Sequence, residues 1–211
     1  MTQTLTLDIV SDVVCPWCYV GKKRMEKALA RFGSKHVALV WRPFQLDPTI
    51  PPEGIDRKTY MKKKFGDGEG PKRMRNALVA AGQEEGIHFD FAAITRAPNT
   101  LAAHRLIRWS LSAGCQDAVV TKLFDAYFIE GRDIGDPAVL TEIAGCSGMD
   151  SDLVSNLLNS NSDCDLVARE IENAQSMGIS GVPTFIVNNQ YAVSGAQDPE
   201  TLVQLLQKAA D

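Results

Sequence analysis

The chain has 211 residues, 45% of them hydrophobic and 23% charged, with a formal net charge of −4. This is enough chain to bury a core unaided, and the apolar fraction together with the low net charge excludes a disordered protein. No apolar run approaches the length of a membrane span, and a sequence pI near 5.4 provides no overall field to attract phosphates, so neither a membrane nor a nucleic acid is an expected partner.

The opening MTQTLTLDIV has no basic segment ahead of its apolar residues and no cleavage-like site. It therefore reads as a strand rather than an export signal, and the cytoplasm is the expected compartment. Residues 4–9 alternate apolar Leu5, Leu7 and Ile9 with polar Thr4, Thr6 and Asp8, the period of a strand with one face buried. Residues 20–32 carry Met25, Leu29 and Phe32 at helical spacing, and Gly33 is the stop. Residues 36–41 (HVALVW) form a second strand, ended by Pro43 and parallel to the first because a helix connects them.

After the loop 48–54 (PTIPPEG) helical patterns take over at 56–64, 71–85, 99–113, 116–130, 136–144, 151–158 and 162–177, with Gly114, Gly131 and Gly178 where helices should stop. Strand chemistry then returns. Residues 183–187 (PTFIV) and 190–193 (QYAV) flank Asn188 and Asn189 as a hairpin, and Asp198 with Pro199 opens a last helix reaching 209. Removing the helical block leaves a compact mixed sheet with flanking helices, an α/β arrangement.

Five cysteines are an odd number at low density, which argues against a disulfide framework. Cys15, Pro16, Trp17 and Cys18 lie between the first strand and the first helix. A helix N-terminus offers unpaired N–H groups and partial positive charge, which stabilise a thiolate over a thiol at Cys15. Pro16 suits the first helical turn, where its missing N–H costs nothing. Cys18 returns to the same face three residues later, better shielded, so Cys15 is expected to attack and Cys18 to resolve a mixed disulfide. Trp17 offers a neutral donor where a histidine would add charge, which predicts a less oxidising pair. A zinc knuckle would need a second pair; Cys115, Cys146 and Cys164 are too widely spaced, and no metal is expected.

The order strand, CPWC, helix, strand, helical insertion, GVPTF and hairpin resembles the thioredoxin superfamily, specifically its DsbA-like group. The strings SDVVCPWCYVGKKR, WRPFQLDP, NTLAAHRLIRW and GVPTFIVNNQYAVSGAQ are similar to the FrnE branch of that group over essentially the whole chain. The resemblance implies a thioredoxin fold with a large all-helical insertion between its βαβ and ββα halves, residues 1–47 with 180–211 forming the thioredoxin-like domain and 55–179 the insertion. It further implies a thiol-disulfide oxidoreductase in which Cys15 and Cys18 are the catalytic pair, Pro183 is a cis-proline facing them, and Pro16, Trp17, Val182 and Pro183 contact substrate. The expected partners are disulfide-containing proteins or glutathione-like small thiols. No resident cofactor is expected, with glutathione a candidate co-substrate.

A neighbouring branch contains glutathione-dependent enzymes, the kappa-class transferases and 2-hydroxychromene-2-carboxylate isomerase, which carry serine where this chain has Cys15. That activity is the alternative reading, with a non-enzymatic holdase a third. Asp198 roughly matches the place where the transferases hold the glutamyl end of glutathione. Cys164 falls on a helix face with Val167, Ile171 and Ala174 and reads as core, whereas Cys115 and Cys146 sit in loops. His104 reads as a solvated or hydrogen-bonded side chain. The basic stretch Arg57, Lys58, Lys62, Lys63, Lys64, Lys72, Arg73 and Arg75 reads as a solvated face, with steering of an anionic thiol as its functional alternative.

Overall fold

The computed structural model describes residues 4–33 and 37–210. In chain order the elements are β1 (Leu5–Ser11), α1 (Pro16–Phe32), β2 (Val37–Pro43), β3 (Ile55–Asp56), α2 (Arg57–Phe65), α3 (Glu69–Glu84), β4 (Arg96–Ala97), α4 (Leu101–Ser112), α5 (Gln116–Phe128), α6 (Pro137–Cys146), α7 (Ser151–Leu158), α8 (Cys164–Ser176), β5 (Thr184–Val187), β6 (Tyr191–Ser194) and α9 (Pro199–Ala210). His36, the first residue of the expected second strand, lies outside the described residues, and Pro43 closes that strand as its last member, opposite Ser11. β3 and β4 are unanticipated. They pair Ile55 with Ala97 and Asp56 with Arg96, and two residues carry no period to read.

The chain divides into two compact units, Met1–Leu46 with Ala168–Asp211, and Asp47–Val167. Residues 168–179 thus group with the sheet, whereas the expected boundary at 180 placed them in the insertion. The reason is packing: Ala174 joins Val10 and Phe44 in one buried cluster, with Ile179, Val182 and Ile186 against it.

In the first unit a four-stranded sheet runs β2-β1-β5-β6, with β1 parallel to β2 and antiparallel to β5. The β5–β6 hairpin closes through the turn Val187–Gln190, whose last N–H donates to the Val187 carbonyl at 3.0 Å. Asn188 and Asn189 take φ of 51° and 55° there, values that asparagine adopts more readily than other side chains bearing a Cβ. One expectation is corrected: β1 is buried on both faces from Leu7 onward, not on one. The Val10 cluster covers the second face, and Asp8, 5% exposed, is tolerated because Arg42 Nε donates to its carboxylate at 2.6 Å. α9 packs on α1 and buries Leu202 and Leu206 completely, each worth about 2 kcal/mol.

In the second unit α4 packs on α5 and α6 on α7. Phe89, Phe91, Phe124 and Tyr127 gather around Phe128 with ring centroids 4.9 to 6.3 Å away. Asp136 and Asp150 cap α6 and α7 by accepting the Ala138 and Leu153 N–H groups at 2.8 and 3.0 Å. His104 is 2% exposed, so it is not solvated. Arg105 beside it is 4% exposed and closes the other end of α7: its guanidinium donates to the carbonyls of Leu157, Leu158, Ser160 and Ser162 at 2.5 to 3.5 Å. Cation and helix C-terminus suit each other here, because the last carbonyls of a helix lack partners and carry partial negative charge.

Candidate active site

β1 ends at Ser11 and the chain turns through Asp12 to Val14 into α1. The turn is held by the Cys15 N–H on the Asp12 carbonyl at 2.9 Å, by the Phe44 N–H on the Ser11 carbonyl at 3.1 Å, and by the Leu46 N–H on the Asp12 carboxylate at 2.8 Å. Cys15 is the N-cap of α1, with extended backbone and Pro16 at the first helical position. Its carbonyl accepts from the Cys18 N–H at 3.0 Å, so the four residues CPWC form the first closed turn.

Both cysteines are free thiols. Cys15 is 5% exposed and Cys18 1%, the expected order, yet Cys15 is far less open than a solvent-facing corner implies. One reason is the Val182 carbonyl, which lies 3.6 Å from Cys15 Sγ and accepts its S–H. The Val182–Pro183 peptide bond is cis. Pro183 is buried, while Pro16, Trp17 and Val182 are half-buried. Cys15, Cys18, Val182 and Pro183 all belong to the first unit.

Gly21 is not among the residues that the sequence points to. A Cβ on Gly21 would stand 2.8 Å from Pro183 Cγ and 3.3 Å from Phe185 Cζ, so a glycine is what lets α1 lie against the Val182–Pro183 segment. The available signal was a glycine inside an otherwise helical pattern. Lys22, 2% exposed one turn beyond Cys18, is ion-paired with Glu26 and sits 6.0 Å from the Trp41 ring centroid.

Burial pushes the Cys18 thiol well above the ordinary thiol range, and the neighbouring Cys15 raises it further, with Ser11 and the Asp12 backbone offsetting part of the rise. The folded chain therefore holds Cys18 as a neutral thiol. Below about pH 8.5 this costs nothing; above it the unfolded chain ionises Cys18 while the folded chain resists, so reduced protein loses stability as pH rises, by at most about 1.4 kcal/mol per pH unit. Urea denaturation of reduced protein between about pH 7 and pH 10 should show a downward slope that Cys18→Ala lessens. Equal slopes would remove Cys18 as its source.

The remaining candidates are placed elsewhere. Cys115 caps α5, Cys146 is exposed at the end of α6, and Cys164 is half-buried at the start of α8, while Val167, Ile171 and Ala174 on the same face are buried as expected. Asp198 caps α9. Its carboxylate accepts the Thr201 N–H at 3.0 Å and the Thr201 hydroxyl at 2.9 Å, and these bonds hold it below the usual carboxylate range. Among the described residues, no group of three or more His, Cys, Asp or Glu side chains gathers that could hold a metal, and no helix is long and apolar enough to cross a membrane.

The family profile of the DSBA-like thioredoxin domain matches residues 6–207. The chain belongs to this family. A probable DsbA oxidoreductase from Streptomyces coelicolor is 32% identical, with 97% of this chain and 89% of that one superposed at a TM-score of 0.88. The cytosolic disulfide reductase DsbM of Pseudomonas aeruginosa, solved with GSH, superposes at 0.67 over 96% of this chain and 98% of its own, with 16% identity. A 2-hydroxychromene-2-carboxylate isomerase superposes equally well, at 0.67 and 16% identity, over 96% of this chain and 95% of its own. The last two share the fold, a thioredoxin fold carrying a helical insertion. Family membership makes the chain a DsbA-like thiol oxidoreductase or a close relative.

Proposed function

We propose that the chain is a cytoplasmic thiol-disulfide oxidoreductase that works through Cys15 and Cys18 on disulfide-containing proteins or on small thiols such as glutathione. The observation that carries this reading is the setting of two free thiols one helical turn apart, Cys15 at the helix start beside the Val182 carbonyl and Cys18 deeper in the same turn. In the reducing direction the Cys15 thiolate attacks one sulfur of the substrate disulfide. A Cys15–substrate disulfide forms and the other substrate sulfur leaves as a thiol. Cys18 then gives up its proton and attacks Cys15 Sγ, which closes the Cys15–Cys18 disulfide and releases the second substrate thiol.

The backbone of Val182 supplies a sequence-blind grip beside Cys15 Sγ, a strand-addition contact for an extended segment or for the cysteinyl part of glutathione. At a cytosolic glutathione poise such a pair stays mostly reduced, which favours reductase or isomerase work over net oxidation. The presence of two thiols favours exchange over the glutathione-dependent isomerase or transferase reading, whose enzymes resemble this chain with a serine at Cys15.

The test is to mix reduced protein with a peptide disulfide and follow thiol release, the Cys15–Cys18 disulfide and the order of alkylation together. Cys15 is expected to be alkylated before Cys18, Cys115, Cys146 and Cys164 at mildly acidic pH, and a Cys15–Cys18 disulfide to accumulate as peptide thiols appear. Faster labelling of Cys18 would reverse the two roles. Release of no thiol, with an isomerase or holdase activity that survives Cys15→Ser with Cys18→Ser, would end the exchange reading.

A further inference from the structure

We propose that the cleft between α2 and α3 docks acidic peptide segments that carry an apolar side chain, a function that does not rest on the exchange reading. The cleft encloses about 450 Å³, and Met61, Phe65, Met74 and Phe91 line it beside Arg57 and Lys58. Phe65 and Met74 are 42% and 43% exposed, among the larger apolar side chains that the chain leaves open. Exposed lysines alone would make an ordinary solvated face; what distinguishes this one is a pair of arginines on an aromatic ring. The guanidinium carbons of Arg57 and Arg75 lie 5.7 and 5.6 Å from the Phe91 ring centroid. Among the described residues neither has a carboxylate partner, although Lys62 and Lys72 nearby are paired with Asp67 and Glu69.

Two like charges held around one ring repel each other, and a carboxylate between them relieves that repulsion while the ring and the thioethers take an apolar neighbour. The wider charge distribution agrees. Residues 57–75 carry eight basic and two acidic side chains in a chain whose total is −4, so the remainder is strongly acidic. Such a field favours a short acidic segment on this patch and opposes a long polyanion that would extend beyond it.

The surface is also elongated. Arg75, set against the Phe91 ring that lines the cleft, also lines an open face of α3 with Lys72, Asn76, Val79, Ala80 and Gln83. The 16 residues of α3 span about 24 Å, room for roughly seven residues of extended peptide and more than a small carboxylate needs.

The test titrates the full-length reduced protein with a fluorescent, cysteine-free peptide of about twelve residues that alternates glutamate with leucine and phenylalanine, read by anisotropy. Arg57→Glu with Arg75→Glu is expected to weaken binding about tenfold, and Arg57→Gln with Arg75→Gln several-fold, with the thermal midpoint retained. Raising salt from about 50 to about 300 mM should weaken it too, as should glutamine for glutamate or serine for the apolar residues in the peptide. Absence of binding, or binding that both double variants leave unchanged, overturns the proposal. So does a single-stranded oligonucleotide of similar length that binds more tightly through the same arginines, which would reassign the surface to nucleic acid. Because the probe has no cysteine, failure of thiol exchange leaves this result untouched, and failure of docking leaves the exchange reading untouched.

Discussion

Replacing Cys18 by serine is expected to leave a protein that attacks a disulfide once and cannot finish. Cys15 keeps its place at the start of α1, so the first exchange still forms a mixed disulfide with substrate. In the wild type the resolving sulfur is on the same helical turn, where an intramolecular nucleophile has an effective concentration that no free thiol matches. With that sulfur gone, resolution waits for an external thiol to reach Cys15, a residue only 5% exposed. Turnover of a peptide disulfide should fall by at least about a thousandfold, and non-reducing mass spectrometry should find the covalent adduct on Cys15. Cys15→Ser should abolish turnover and form no adduct, because its nucleophile is missing. Serine nearly matches cysteine in size, so both variants should fold, which far-UV circular dichroism checks. A Cys18→Ser protein that turned over at the wild-type rate would mean that Cys18 resolves nothing.

The largest stability loss is expected at Arg105, far in sequence from Cys15 and Cys18. Its guanidinium is almost fully buried and satisfies four carbonyls at the end of α7 and in the turn that follows. Arg105→Ala removes one donor from each of those carbonyls and opens a gap beside Trp109, whose ring centroid lies 5.0 Å from the guanidinium carbon. Leaving a buried carbonyl short of a donor typically costs about 1–3 kcal/mol, and with several affected and a gap opened the sum should reach a few kcal/mol, a large part of a total of about 5–15 kcal/mol. A fall in the thermal midpoint of roughly ten degrees should follow, and Arg105→Lys should recover only part of it, since an ammonium cannot span the same carbonyls. Arg132 is the comparison. It makes two bonds to Glu142, at 2.6 and 3.1 Å, but on the surface, and Arg132→Ala should cost less than about 1 kcal/mol. Comparable losses for the two variants in thermal and urea denaturation would show that burial is not what gives Arg105 its weight.

Much of this protein is legible in local sequence signals. Periodicity and stops place every long element to within a few residues, because 3.6- and 2-residue periods, prolines at first helical turns and glycines after last ones act over short stretches of chain. Residues 151–158 are bounded by Asp150 as a cap and are recovered without error. The CPWC string, its place between a strand and a helix, and the GVPTF string are equally local. They carry the family resemblance, which the match over residues 6–207 establishes at the level of the DSBA-like domain.

What tertiary structure alone decided are the relations between distant segments. That β1 is covered on both faces depends on Ala174 and Phe44 meeting Val10, residues with no shared period. The same packing brings residues 168–179 to the sheet unit, a boundary no composition shift marks. Gly21 is an unremarkable helical glycine until Pro183, 162 positions later, is found against it. Cys15 is shielded by a carbonyl, a group present at every position and so invisible in any one-letter string. By itself the sequence determined which residues form helices and strands and which two thiols share a helical turn, because those depend on near neighbours. Which arginine is buried, which carbonyl faces a thiol and which glycine must stay small were decided only by folding, because burial and contact belong to pairs of residues that the chain keeps far apart.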